Sequence, residues 1–224
     1  MANKLAKAFV KTRLGKKIRL AIKKHHGDYS VENKSKCKFN LYLDGKGHKI
    51  IIEEDVKLEK PYFQFRGSNN TLIIKKGVRL GKDCAFFLEG NNLTITIDEN
   101  SSFVQKCSFH AQEENLSIYV GKGCLFSHDI IVRTSDAHPI FDLNTKERLN
   151  VAKSVVIEDS VWVAPHSEIF KGATVGKGSI IGSNTTVTKS VPQNSLVVGR
   201  PQKIIKENVF WTHEDVLGVY KNLD

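Results

Sequence analysis

Between residues 155 and 187 a branched aliphatic recurs at every sixth position: Ile157, Val163, Ile169, Val175, Ile181 and Val187. A helix repeats at 3.6 residues and a strand at two, and neither produces this beat. A period of six is the mark of a parallel β-helix with three short faces per coil, one hexapeptide to a face. The residues between the aliphatics agree. Gly172, Gly176, Gly178, Gly182, Ser183 and Asn184 fall where the chain must turn a corner. Positive φ is cheap there for Gly and tolerable for Asn.

A longer repeat precedes the regular run. An aliphatic, two polar residues, a turn residue and a small or apolar residue recur from leaders Ile52, Ile74, Ile97, Val120, Ile157 and Val175. Six residues after the leaders stand Leu58, Leu80, Phe103, Phe126, Val163 and Ile181, an apolar column expected to stack inside the coil. Cys84 and Cys107 share another column and read as buried small hydrophobes. The leaders are spaced by 22, 23, 23, 37 and 18 residues. The last value is one regular coil, the earlier ones are wider coils, and 37 reads as about two coils. Spacing is lost across 133–150, which reads as a loop leaving the scaffold, where function usually resides.

Composition adds one constraint. Of 34 basic residues nine lie in 1–25, which holds no acid, leaving 25 against 24 acidic residues in the rest. The charge therefore belongs to an arm. Residues 4–24 are expected to form an amphipathic helix, with Leu14, Ile18, Ala21 and Ile22 on one face. Such an arm suits an anionic membrane surface or an anionic polymer. No nucleic-acid-binding fold accompanies it, so nucleic acid is not an expected partner. Spacing of Cys37, Cys84, Cys107 and Cys124 gives no metal or redox motif. With no expected signal peptide or membrane span, the chain reads as cytoplasmic, with the arm able to place it at the inner membrane face. Thr212-His-Glu-Asp215 resembles a capping box, predicting a helix over 213–223. The expected division is an arm at 1–27, a β-helix at 28–200 and a C-terminal cap at 201–224.

Within the loop, Arg133-Thr-Ser-Asp-Ala-His-Pro-Ile140 presents His138, a side chain able to take a proton from a hydroxyl near neutral pH. Pro139 restricts His138 to extended conformations. The period-six run, this His-Pro loop, and Thr188-Lys-Ser-Val-Pro192 together resemble the hexapeptide-repeat acyltransferases over residues 50–210. Asp136-Ala-His138-Pro-Ile, Glu147-Arg-Leu-Asn150 and Val161-Trp162-Val163 are most similar to bacterial polysaccharide O-acetyltransferases, including those that modify sialic-acid capsules.

The resemblance implies a left-handed β-helix, usually trimeric, that moves acetyl from acetyl-CoA to a sugar hydroxyl. It implies His138 as general base, Trp162 against the acetyl-pantetheine or the sugar, and no covalent intermediate. Ala164, Pro165 and Ser183 would then border the pantetheine, and Thr188, Lys189, Lys203 and Lys206 would meet the phosphates. The family's Gly-Asn-Pro-Ala is replaced by Gly199-Arg200-Pro201-Gln202. A metal set of His128, His138 and His166 finds no carboxylate or Cys to complete it, so no metal is expected. His110 and His128 read as core or rim residues. The alternatives are N-acetylation of a nucleotide-linked amino sugar and a non-enzymatic saccharide-binding scaffold.

Overall fold

The computed structural model describes residues 28–214 and the backbone course of two further strands, Lys7–Lys11 and Lys17–Ile22. The chain winds as a parallel β-helix with three walls. Asn40–Lys46, Tyr62–Ser68, Ala85–Asn91, the second halves of Ser102–Glu114 and Leu125–Arg133, Glu168–Ile169 and Thr186–Val187 stack as wall I. Tyr29–Asn33, His48–Ile52, Thr71–Ile74, Thr94–Ile97, Ser117–Val120, Val155–Ile157 and Thr174–Val175 stack as wall II. Wall III runs from Lys57–Leu58 through Arg79–Lys82, Trp162–Val163 and Ile180–Ile181 to Ser195–Val198.

The expected columns are the observed ones. Ile52, Ile74, Ile97, Val120, Ile157 and Val175 stand in register on wall II, all fully buried. The second column stacks on wall III from Leu58 to Ile181, buried from Leu80 onward. Inward aromatics fill the wide coils. Phe109 lies 5.0 Å from Phe86, 5.6 Å from Phe103 and 5.9 Å from Phe126 between ring centroids. Cys84, Cys107 and Cys124 are buried, and burial pushes the Cys124 thiol up to about 12.

Three expectations change. The 37-residue interval is one coil plus a loop, not two coils, because Ile131 and Val132 pair directly with Glu168 and Ile169. Of the amphipathic helix expected over 4–24, the described residues 7–11 and 17–22 are strands instead. Lys7–Lys11 pairs antiparallel with Lys17–Ile22, which runs parallel beside Asn40–Lys46. The sequence Lys17-Ile-Arg-Leu-Ala-Ile22 also alternates apolar residues at a period of two, and the open edge of the sheet offers hydrogen-bond partners that an isolated helix lacks. After Pro201, Lys203–Glu207 adds an antiparallel strand beside Ser195–Val198. The helix expected over 213–223 lies outside the described residues except for 213 and 214, which form a bend. Among the described residues no helix is long and apolar enough to cross a membrane.

At the end of wall I one corner is built for glycine. Gly45, Gly67 and Gly90 are stacked in register with φ of 122°, 94° and 149°. A Cβ on each would approach the next coil's carbonyl oxygen to 1.7, 2.0 and 1.7 Å. The next residue in the column is Glu113, a non-glycine at φ 77°.

Removing an inward ring leaves a cavity that the hydrogen-bonded coils cannot close. Phe109→Ala is expected to destabilise the protein by roughly 3–5 kcal/mol, measured by denaturant unfolding. A change below about 1 kcal/mol, which would match a surface site, would show that the ring column does not carry the core.

Candidate active site

The loop 134–154 leaves the coil between wall I and wall II, and three sets of bonds fasten it. Arg148 donates from Nη1 to Glu113 Oε2 at 2.7 Å and from Nη2 to Glu113 Oε1 at 2.6 Å. Ser135 Oγ donates to the same carboxylate at 2.6 Å. Asn150 braces the turn that carries the histidine: its Nδ2 donates to the His138 carbonyl at 2.8 Å and to Asp136 Oδ2 at 2.9 Å, and its Oδ1 accepts from Ile140 N at 2.6 Å. Lys171, from the next coil, donates to Asp136 and, at 3.2 Å, to the Asn150 carbonyl. His138 is thus held through its backbone, with its imidazole exposed to solvent.

Glu113 explains the interrupted glycine column. Left-handed backbone at a non-glycine residue costs about 1–3 kcal/mol, and hydrogen bonds to charged groups return roughly 1.5–3 kcal/mol each before screening. Three such bonds exceed the strain before screening, but the pair is about 30% exposed and screening cuts the return toward the strain, so the exchange of glycine for glutamate costs the coil little while it secures the loop. Hydrogen bonding from Arg148 and Ser135 holds the Glu113 carboxyl below its ordinary range. Lys171, followed by Asn150, does the same for Asp136.

The other expected site residues fall into two groups. Thr188 and Lys189 follow wall I at the loop's corner, where both backbone N–H groups donate to Gln202 Oε1, at 2.7 and 3.0 Å. Lys189 lies one 18-residue coil beyond Lys171. Ala164, Pro165 and Ser183 lie at the corner between walls III and I, with Pro165 and Ser183 at equivalent places on successive coils. Lys203 and Lys206 are exposed on the last strand. Trp162 points outward from wall III and faces Trp211 at 6.1 Å between ring centroids. Trp211 is tied back by its Nε1, which donates to the Ser160 carbonyl at 2.6 Å. Within one chain, then, the His138 loop and the Trp162–Ser183 group occupy different corners.

Sequence reasoning assigned no role to Glu113, Arg148, Asn150 or Lys171. The signal for Glu113 was present as a lone acid in a column otherwise of glycine. Arg200 donates from Nε to the Asn184 carbonyl and from Nη2 to the His166 carbonyl, both at 3.1 Å, and so laces the III–I corner together. His110 lies outside wall I, stacked on Phe87 at 4.6 Å, and burial lowers its basicity. His138 does not join His128 and His166, which instead meet around Asp129.

A three-walled parallel coil with one fastened His-Pro loop defines the class of hexapeptide-repeat acyltransferases, and solved structures agree. The crystal structure of the polySia-specific acetyltransferase NeuO is 31% identical, with a TM-score of 0.71 over 88% of this chain and 92% of that one. The polysialic acid O-acetyltransferase OatWY is 25% identical, with a TM-score of 0.75 over 89% and 97%. The coil is left-handed, as in that fold. No protein-family profile matches the chain. The polysialic acid O-acetyltransferase of Escherichia coli O1:K1 is 40% identical over 96 residues, 43% of this chain and 31% of that protein. That alignment therefore spans less than a third of the relative. The polysialic acid O-acetyltransferase of Neisseria meningitidis is 31% identical over 179 residues, 76% of this chain and 78% of that one. The chain belongs to the polysialic acid O-acetyltransferase family of hexapeptide-repeat proteins.

Glu113→Gly removes the clasp while relieving the backbone. Hydrogen exchange in the loop is expected to rise by an order of magnitude or more, with the midpoint of global unfolding nearly unchanged. Loop protection equal to wild type would refute the clasp. Because the Glu113 carboxyl titrates below its ordinary value near 4.5, the clasp is fully formed above that pH and is lost as pH falls through the lower folded value. Loop opening energies compared at neutral and acidic pH should show the same release in the wild type and a smaller one in Glu113→Gly, where only the Asp136 contacts remain to be lost.

Proposed function

We propose that this protein is an acetyl-CoA-dependent O-acetyltransferase whose acceptor is a hydroxyl of a bacterial surface polysaccharide. Polysialic acid is the acceptor named for its relatives in E. coli and N. meningitidis. The observation that carries the reading is the His-Pro turn, held by Asn150 and Lys171 on a rigid coil in a chain of this family. A base works when its ring is fixed within reach of the proton it abstracts.

The chemistry needs one proton carrier. His138 takes the proton of the sugar hydroxyl as its oxygen attacks the thioester carbonyl. The tetrahedral intermediate places negative charge on the former carbonyl oxygen, which a backbone N–H stabilises. Collapse breaks the carbon–sulfur bond, and the imidazolium returns the proton to the departing thiolate. Attack is direct, so no serine or cysteine nucleophile is needed. Ala164, Pro165 and Ser183 form a low rim for the pantetheine, and Lys189, Lys203 and Lys206 supply cations for its phosphates.

These residues stand at two corners of one chain, and a neighbouring copy unites them. In this reading the protein is a homotrimer, and the loop of one copy reaches the III–I corner of the next. The loop's apolar surface supports it: Ile140, Phe141, Leu149 and Val151 are each more than half exposed, and Leu143 is 81% exposed. Isolated soluble proteins seldom present such a cluster uncovered.

Thiol release from acetyl-CoA with polysialic acid as acceptor tests the reaction. His138→Ala is expected to lower kcat by about 10²–10⁴ with CoA affinity retained. Full activity in that variant would exclude His138 as the base, and no release with any capsule saccharide would exclude the reaction class. Leu143→Lys tests the assembly by light scattering. It should yield monomers and lose turnover together, and an active monomer would overturn the shared site.

A further inference from the structure

We propose that His128, Asp129 and His166 form a binding site for a divalent transition-metal ion of the zinc type. The site stands on the corner between walls III and I, and each donor is placed by the coil. His128 and Asp129 end the wall III segment of one coil, and His166 occupies the same corner on the next, across the 134–154 loop. The His166 N–H donates to the His128 carbonyl at 3.1 Å, so the two backbones are locked together. Asp129 and His166 take the left-handed conformation shared by this corner's column, with φ of 56° and 59°. Lys60, Asp83, Lys106 and Asn184 are its other described members, at 52°, 57°, 50° and 56°.

The side chains converge. His128 Nδ1 lies 2.9 Å from Asp129 Oδ2, and His166 Nδ1 lies 3.9 Å from the same oxygen. The imidazole rings are edge to face, 4.9 Å apart. One donor atom from each residue falls within 4.8 Å of the others. A tetrahedral ion with bonds of about 2.0–2.1 Å needs donors about 3.3 Å apart, a spacing that small side-chain rotations reach from here. Lys106 Nζ is 4.0 Å from Asp129 Oδ1, the other oxygen, so the oxygen facing the imidazoles is not the one it approaches.

The donor set chooses the ligand. Two imidazole nitrogens and one carboxylate suit zinc, nickel or copper, whereas calcium and magnesium prefer all-oxygen shells. A phosphate is disfavoured because Asp129 sits at the centre of the cluster. Three protein donors leave a fourth position for water or an added ligand. Bound there, the ion would staple two successive coils at the III–I corner. The proposal is independent of the acetyl-transfer reading.

Chelator-treated protein is titrated with zinc chloride, with binding read by calorimetry and by competition with a chromophoric chelator. One equivalent is expected to bind, and the melting temperature is expected to rise with zinc and not with magnesium. His166→Asn and Asp129→Asn keep the corner conformation, since Asn184 already adopts it one coil on. Both should melt like the wild type without metal and lose the zinc equivalent and the shift. His128→Ala, at an ordinary strand-end position, serves if either variant misfolds. No zinc binding by the wild type, undiminished binding by the variants, or an equal response to magnesium would overturn the proposal.

Discussion

Everything in this protein depends on coil-to-coil register. Each residue of a wall hydrogen-bonds to the residue one coil away, so a column must be compatible with itself along its whole length. Inward columns satisfy this with Ile, Val, Leu and Phe, which fill the interior without polar atoms. The corner columns satisfy it with residues that accept left-handed backbone, Asn and Gly above all. A change of coil width is tolerated only where whole corners lengthen. That is why the early coils run to 22 or 23 residues and the later ones to 18 while the columns stay aligned.

The same constraint makes an insertion useful. Between Val132 and Val155 the coil can be opened at a corner and closed again, because Val132 still pairs with Ile169 and Ile118 with Val155. A loop added there inherits a rigid base. Its order then rests on a few charged contacts, chiefly the Glu113–Arg148 pair and the Asp136–Asn150–Lys171 cluster. The first of these places a side chain where three preceding coils use glycine. Local backbone strain and loop order are exchanged at one residue, a pattern common where function requires a fixed geometry.

Chemistry is divided in the same way as structure. In the proposed reaction the coil supplies shallow, small-residue corners and outward cations, and the loop supplies His138 and an apolar tip. Neither corner alone holds all the groups on which the proposed reaction draws. Burying each apolar residue of the loop would contribute about 1.5–3 kcal/mol, which supports the proposed association between copies. The alternating ladder of Asp83, Lys106, Asp129 and His166 gives the III–I corner a second character, one of paired charges and imidazoles.

The six-residue beat by itself determined the coil, its three walls and its inward columns, because a period is a local property that survives whatever surrounds it. It also located the loop, by its own absence, and the His-Pro turn within it. Where the period was broken, the sequence misled: 37 residues read as two coils, because a loop and a coil cannot be told apart by length. The basic arm read as a helix because its apolar residues fit both periods, and only the open sheet edge decided for a strand. Tertiary structure alone paired Glu113 with Arg148 across 35 residues and brought His166 to Asp129 across the loop. Such pairs depend on which corner each residue reaches after an irregular stretch. That is fixed by hydrogen-bond register between coils, which leaves no periodic trace in the sequence.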